Sequence, residues 1–298
     1  MRQDLIYDIG LHLGADSEFY LKKGFNVVGV EADPAIAAKA ADRLKAYVDA
    51  GRLTIVNKAI ARDEGPITFF VSDVSENSTT DCEWAERNRN LGASISEITV
   101  PGIPFHRLLK EYGVPYYTKI DIERADTLCL EGLLGNADRP KYVSLESSKV
   151  SFDDVVNEFC LLQKLGYRKY KIVAQHRVEE QRLPNPAREG QFIEHLFTHG
   201  CSGAFGRELP GEWISLERAL QAYMRIFQRY RTLRDLSLSS FSLSRFIREA
   251  EASRRAPVAS AATVARKALP SIRKVKLLQI IKAKMSAGWY DTHAMLEE

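Results

Sequence analysis

Acidic side chains and glycines near the start of the chain are spaced as in a nucleotide-binding turn. A strand-like apolar run leads into Asp8, Gly10 and Gly14, and Glu31 and Asp33 follow a second apolar run. A glycine turn after a strand lets the backbone approach a ligand closely, and an acid at the tip of the next strand is placed to bind ribose hydroxyls. This arrangement predicts a cofactor that contains a nucleoside.

The glycine spacing differs from that of dinucleotide-binding proteins. Their fingerprint is G-x-G-x-x-G, whereas here three residues separate Gly10 from Gly14. The missing glycine disfavours an NAD-linked reductase, which is the alternative reading. Asp8 inside the turn would repel a pyrophosphate but suits a cationic cofactor. S-adenosylmethionine combines a ribose with a cationic sulfonium, so the turn favours methyl transfer.

A second group of acids lies at the end of a later predicted strand, in Lys119-Ile-Asp121-Ile-Glu123. Strand alternation predicts that Asp121 and Glu123 project to one side, where two carboxylates are costly unless they meet a cation, a hydroxyl or a hydrogen-bond network. We expect Asp121 to be a cofactor contact or the base for a hydroxyl proton, with Glu123 and His12 as the next candidates. The alternative is a strand end that forms ion pairs, with Lys119 or Arg124 as the partner.

These residues need a sheet to bring them together. Apolar runs alternate with helical patterns from residue 5 to about 175, which predicts a doubly wound, mostly parallel, Rossmann-like α/β sheet with helices on both faces. The predicted strands are 5–9, 26–30, 53–57, 116–122, 142–146 and 168–174, with 194–199 as the seventh and 66–71 as an added hairpin strand. The predicted helices are 16–23, 34–50, 105–112, 127–134 and 152–165, and 72–97 is expected to be a lid or binding loop.

Charge is distributed unevenly along the chain. The net charge is +3, but residues 218–284 carry 16 Lys and Arg against three acids, a surplus of +13. We therefore expect a catalytic domain over 1–213 and a helical, basic extension over 214–298 whose C-terminal tail returns to that domain. Amphipathic periodicity predicts a helix over 216–233, and a second is expected over 272–285. The extension could bind nucleic acid, bind an anionic membrane surface, or support a homo-oligomer through its helices.

Composition excludes several other classes. The four cysteines are scattered without metal-ligand spacing, which is typical of reduced thiols. We expect no resident metal, and the alternative is a divalent metal held by Asp121, Glu123 and Glu146, which the spacing does not demand. No apolar run approaches the length of a spanning helix, and the first strand begins almost at residue 1, which leaves no room for a signal peptide. The expected location is the cytoplasm.

The ordered set of motifs resembles the FkbM family of S-adenosylmethionine-dependent methyltransferases. The similarity covers roughly residues 4–213 and the last ten. It implies a seven-strand methyltransferase fold and O-methylation, often of a sugar or polyketide hydroxyl. The family usually has Gly after the motif that ends at Glu123, where this chain has Arg124. The residues that carry the resemblance are 8–10 with Gly14, 19–25, 30–34, 84–88, 119–123, 202–206 and 289–293.

The resemblance and the predicted strand ends together assign the site. Asp33 is also expected to cap the following helix. Aromatic faces stack on sugar rings, so loop tryptophans are candidates for a carbohydrate or other small-molecule acceptor, although they could simply pack loops onto the core. The expected cofactor contacts are Asp8, Gly10, His12, Gly14, Glu31, Ala32, Asp33, Asn57, Lys58 and Asp121. The expected acceptor contacts are Trp84, Glu146, Ser202, Trp289, Asp291 and His293.

Overall fold

A computed structural model describes residues 1–73, 78–90, 92–148, 150–231 and 288–297. The chain divides into two compact units, Met1–Leu220 with Trp289–Glu298, and Gln221–Gly288. The first unit contains the predicted site and is described first.

Ten strands are found within the described ranges: β1 (Arg2–Ile9), β2 (Asn26–Val30), β3 (Leu53–Val56), β4 (Ala59–Ile60), β5 (Gly65–Ser72), β6 (Ile95–Ile103), β7 (Pro115–Ile120), β8 (Tyr142–Glu146), β9 (Lys169–Ala174) and β10 (Tyr290–Met295). Seven of them form one sheet in the order β3-β2-β1-β7-β8-β10-β9. Only β10 runs antiparallel to its neighbours. This confirms the predicted seven-strand, mostly parallel fold.

The helices of the first unit are α1 (Ala15–Lys22), α2 (Pro34–Arg43), α3 (Lys45–Asp49), α4 (Cys82–Asn90), α5 (Phe105–Tyr112), α6 (Asp126–Leu133) and α7 (Phe152–Lys164). Asp33 caps α2 as expected, since its Oδ1 accepts the backbone N–H groups of Ala35 and Ile36. The single helix predicted over 34–50 is interrupted at Leu44, which is buried in the core.

The seventh strand was predicted wrongly. Residues 194–199 form no strand, and the seventh strand is the polar segment Tyr290–Met295, inserted between β8 and β9. Two of its polar side chains have partners inside the sheet, because Asp291 accepts a hydrogen bond from Gln175 at 2.5 Å and the Thr292 hydroxyl lies 2.7 Å from that of Ser147. Both ring nitrogens of His293 are buried without a hydrogen-bond partner within the described residues. Because Gln175 and Ser147 are distant in sequence, the polar composition of Tyr290–Met295 did not indicate a strand.

Two other boundaries also differ from the sequence pattern. The segment 72–97, expected to be a loop, contains α4 and the start of β6, which pairs with β5 in a small second sheet in the order β4-β6-β5. The strand expected over 116–122 ends at Ile120, because Glu123 and Arg124 adopt left-handed backbone angles (φ +46° and +82°).

An aromatic cluster and a buried ion pair join α1 to the segment after residue 200. The ring of Phe205 stacks on Tyr117 with a centroid separation of 4.6 Å and meets Tyr20 edge-on at 5.5 Å. The Nζ atom of Lys23 lies 2.9 Å from Glu208, and both side chains are fully buried. Glu208 also accepts the backbone N–H groups of Arg188 and Glu189. The 186–208 region is thus fastened to the end of α1.

The second unit is described over residues 221–231 and at Gly288. Residues 216–231 are helical, which confirms that part of the helix predicted over 216–233, and within this unit Tyr230 donates to the carbonyl of Gly288 at 3.0 Å. The helix expected over 272–285, and most of the basic extension that it belongs to, lie outside the described residues. None of the helices within the described ranges is long and apolar enough to cross a membrane.

Replacing Lys23 by Met should lower the free energy of unfolding by about 3 to 5 kcal/mol, because it leaves the buried Glu208 carboxylate without its cation. The double variant Lys23→Met/Glu208→Gln should recover part of this loss, since Gln keeps an acceptor oxygen for the 188–189 backbone. Urea denaturation measures both. Lys45→Met is the control, because Lys45 pairs with Asp49 in an exposed bridge and should cost less than about 1 kcal/mol. Equal decreases in the free energy of unfolding for the Lys23 and Lys45 variants would show that the buried Lys23–Glu208 pair does not stabilise the fold.

Candidate functional site

A cavity of about 490 Å³ opens at the carboxyl ends of β1, β2, β7 and β8. This is where ligands bind in open α/β sheets, and the volume lies within the usual range for small-molecule sites. Residues from the first turn, the ends of β2 and β7, and the segments around 78–80 and 199–200 line it. Those used below are Gly10, His12, Asp16, Glu31, Ala32, Asp33, Lys58, Lys119, Asp121, Glu123, Glu146, His199 and Trp289.

The first turn needs glycine at two positions. Gly10 has φ +87°, and a Cβ atom there would lie 1.9 Å from the carbonyl oxygen of Asp121. Gly14 has φ +76° at the N-cap of α1, where a Cβ atom would lie 2.6 Å from Leu44. The turn therefore packs directly against the end of β7, and Asp121 enters the same cavity.

Glu31 is held from both sides by backbone groups. One carboxylate oxygen accepts the N–H of His12 at 2.8 Å and the other accepts the N–H of Asp33 at 2.9 Å. Burial raises the pKa of Glu31, although these two hydrogen bonds oppose that shift. Each oxygen keeps a further lone pair, so the carboxylate can accept two hydroxyl donors from a ligand in the cavity.

Lys119 is the central cation of the site. Its Nζ lies 3.2 Å from Asp8, 3.7 Å from Asp121 and 3.9 Å from Asp16, and it donates to the carbonyl of Gly10 at 2.9 Å. Burial works against its charge, but the three carboxylates hold the pKa of Lys119 well above its usual range. Burial, together with repulsion from Asp8, raises the pKa of Asp16 to about 6.

Asp8 differs from the sequence expectation. The interpretation of the turn assumed that this carboxylate faces the cofactor, but Asp8 has no exposed surface and lies beneath the cavity. It accepts a hydrogen bond from the Ser17 hydroxyl at 2.7 Å and pairs with Lys119. Its charge is thus already balanced inside the fold, and the acids that reach the cavity are other residues.

Asp121 and Glu123 are not related by strand alternation, because the strand ends before them. The Asp121 side chain is 40% exposed and borders the cavity next to Lys119. Glu123 lies in the left-handed turn, accepts the indole N–H of Trp84 at 3.1 Å, and has its carbonyl bonded by Thr79 at 2.7 Å. The two carboxylates therefore occupy different surroundings, and Asp121 is the one that stands beside the ammonium group.

Several predicted contacts lie behind the cavity wall. Asn57 donates to the carbonyls of Glu31 and Ala32 and thereby fixes the Glu31 backbone. The backbone N–H of Ser202 donates to Asp16 at 2.9 Å. These residues were expected to touch cofactor or acceptor, but the structure places them where they hold the residues that line the cavity.

Of the three predicted acceptor contacts near the C-terminus, one lines the cavity and two do not. Trp289 lines the cavity, and its ring meets that of His199 edge-on at 5.2 Å. Asp291 and His293 are buried in β10. Burial, reinforced by Asp121 and Glu146, raises the pKa of Asp291 well above its usual value, whereas burial lowers the pKa of His293 to about 3. His293 is therefore neutral at physiological pH.

The sequence did not predict that Asp16 and His199 line the cavity. It also did not predict that Lys119 is the cation that three carboxylates surround. Asp16 follows Gly14 by two residues in the first turn of α1, and its acidic side chain there was the available signal. The alternative prediction from the sequence was a divalent metal held by Asp121, Glu123 and Glu146. No group of three His, Cys, Asp or Glu side chains within the described ranges could hold a metal ion.

Comparison with known proteins finds similarity to methyltransferases. A family model described as "Methyltransferase FkbM domain" matches residues 8–169. Among solved structures, the C-terminal domain of precorrin-6Y C5,15-methyltransferase from Rhodobacter capsulatus is 12% identical with a TM-score of 0.35, covering 58% of this chain and 67% of that one. The corresponding enzyme from Geobacter metallireducens GS-15 is 13% identical with a TM-score of 0.33, covering 58% and 69%. No curated protein matches the chain.

Gly10→Ala should destabilise the protein more than Gly51→Ala. Both positions have positive φ, so both variants should lose about 1 to 2 kcal/mol to backbone strain. Gly51 has open space around it, whereas the new Cβ at position 10 would collide with the Asp121 carbonyl. Thermal and urea denaturation of the two variants measure the difference. Equal destabilisation would show that the close approach of the turn to Asp121 does not exist.

Proposed function

Since the chain belongs to the FkbM family of S-adenosylmethionine-dependent methyltransferases, we propose that it methylates a hydroxyl oxygen of a sugar or secondary-metabolite acceptor. The main support for this proposal is the position of the Asp121 carboxylate, which borders the cavity at the end of β7 beside the buried Lys119 ammonium. An alcohol becomes a good nucleophile only as its proton leaves, and a carboxylate in this position can accept that proton.

The residues of the cavity fit S-adenosylmethionine. Glu31 offers two oxygens to the ribose hydroxyls, and the absence of a side chain at Gly10 leaves the backbone open to close approach. Six carboxylates and two lysines line the cavity within the described residues, a surplus of negative charge that favours a cationic ligand. When bound, this cofactor supplies an electrophilic methyl group on a positively charged sulfur.

The protein's own contribution is alignment and proton transfer. The Gly10 carbonyl and the Asp8 carboxylate hold Lys119, and Lys119 in turn stands 3.7 Å from Asp121. This network keeps the carboxylate at one place on the wall, so that an acceptor hydroxyl bound there meets its base in a fixed orientation. Trp289 and His199 add an aromatic surface on which a sugar ring can stack, which supports a carbohydrate acceptor.

Glu31→Ala should weaken the binding of S-adenosylhomocysteine by at least about tenfold, because the ribose hydroxyls lose both proposed acceptor oxygens. The backbone N–H groups of His12 and Asp33 lose their acceptor as well. Isothermal titration calorimetry measures the affinity. Glu97→Ala removes an exposed carboxylate that does not line the cavity and should leave the affinity unchanged. Unchanged binding by the Glu31 variant would remove this residue from the cofactor site.

Asp121→Asn should reduce turnover by about 10²- to 10⁴-fold, the usual loss when a general base is removed. The assay incubates the protein with S-adenosylmethionine and a panel of sugars and polyketide alcohols, and follows methyl ether formation by mass spectrometry. Binding of S-adenosylhomocysteine to the variant is the control for folding. Full turnover in the variant would exclude Asp121 as the base, and methylation at nitrogen or carbon would overturn the proposed reaction.

Nucleic-acid methylation was the alternative suggested by the basic extension. Most of that extension, and with it the proposed contacts to phosphate, to an anionic surface or to a second copy of the chain, lies outside the described residues. Within the described part, the cavity carries a surplus of acidic groups, which disfavours a polyanion near the reacting atoms.

A further inference from the structure

A second cavity of about 250 Å³ lies next to the first, between the start of α6 and the start of α7. Glu123 and Glu146 line both cavities. A molecule that occupies the second cavity can therefore extend past these two carboxylates toward Asp121. A cavity in this position, next to the proposed cofactor cavity, is suited to the methyl acceptor.

The second cavity is lined mainly by acids. Its carboxylates are Glu123, Asp126, Glu146, Asp154 and Glu158. Arg124 is the one positively charged side chain among the described residues that line it. Its guanidinium forms a salt bridge with Asp154 at 2.7 Å. No ion pair within the described part of the chain joins Asp126 or Glu158 to a lysine or an arginine.

Glu158 provides an independent sign that a ligand group is missing. Its side chain lies in α7 with 6% of its surface exposed and lines the cavity. One carboxylate oxygen accepts the backbone N–H of Ser148 at 3.2 Å. The Ser147 hydroxyl lies near enough to lower the pKa of Glu158, but no group within the described part of the chain makes a well-formed hydrogen bond to the buried Oε2. A buried carboxylate oxygen is costly unless a donor meets it.

The titration behaviour agrees with this view. Burial raises the pKa of Glu158 to about 8 and that of Asp126 to about 7, and nearby carboxylates add to both shifts. A cation in the cavity would favour the charged forms of both groups and lower their pKa values, so the binding of a cation is coupled to the release of their protons.

We propose that this cavity binds a protonated amino group of the acceptor, and that the acceptor is an amino sugar or a similar amino alcohol. This inference rests on the proposed hydroxyl methylation. The ammonium group would be held by Glu158 and Asp126, while a hydroxyl of the same molecule reaches Asp121. The ammonium group is a recognition element and is not itself methylated, because it has no lone pair.

The test compares glucosamine with glucose, which differ by one amino group, and with N-acetylglucosamine, in which the charge is removed. Each is titrated into the protein saturated with S-adenosylhomocysteine. We expect glucosamine to bind at least about tenfold more tightly than either neutral sugar, because a charge-assisted hydrogen bond is gained. Glu158→Gln should abolish this preference.

Two further variants keep the outcome interpretable. Asp153→Asn, on the exposed side of the same helix, should keep the full preference. Thr127→Lys places an ammonium group in the cavity from α6 and should abolish the preference even if Glu158→Gln does not fold. Equal binding of the three sugars, absence of binding by glucosamine, or a preference that survives in both cavity variants overturns the inference. Failure of S-adenosylhomocysteine to bind the unaltered protein would instead overturn the proposed function.

Discussion

One buried ammonium group determines the arrangement of the cavity at the carboxyl ends of the strands. Lys119 brings together carboxylates from three separate pieces of the chain: Asp8 on β1, Asp16 on α1 and Asp121 after β7. Without this cation, the buried Asp8 and Asp16 carboxylates would meet the full cost of leaving water. One positive charge cannot neutralise three negative ones, and burial, with repulsion from Asp8 as a smaller cause, raises the pKa of Asp16 to about 6. The cavity therefore keeps a negative potential that a sulfonium can satisfy.

The influence of this network reaches the far side of the sheet through polar contacts. Asp16 accepts the Ser202 N–H, the Ser202 carbonyl accepts a hydrogen bond from Gln175, and the same amide group of Gln175 donates to Asp291 on β10. Segments far apart in sequence are thus fixed to the wall of one cavity. This explains why residues expected to touch ligands are instead found one layer behind it.

The parts of the fold that sequence could predict are those whose signal is local. The apolar runs of β1 and β2 and the capping residue Asp33 identify themselves, and Glu31 follows from its position at a strand end. The polar β10 could not be predicted, because its stability comes from Gln175 and Ser147, which are distant in sequence. The orientations of Asp8 and Glu123 depend in the same way on long-range partners.

The position of β10 has a consequence for how the protein is made. In the sheet order, β9 borders only β10, and β8 is separated from β9 by that strand. During synthesis, β8 therefore presents an unpaired edge, and β9 has no place in the sheet until the residues after 288 have left the ribosome. Such late, long-range pairing slows folding and leaves an edge open to other chains. The main sheet can therefore be completed only after the C-terminal strand has been synthesised.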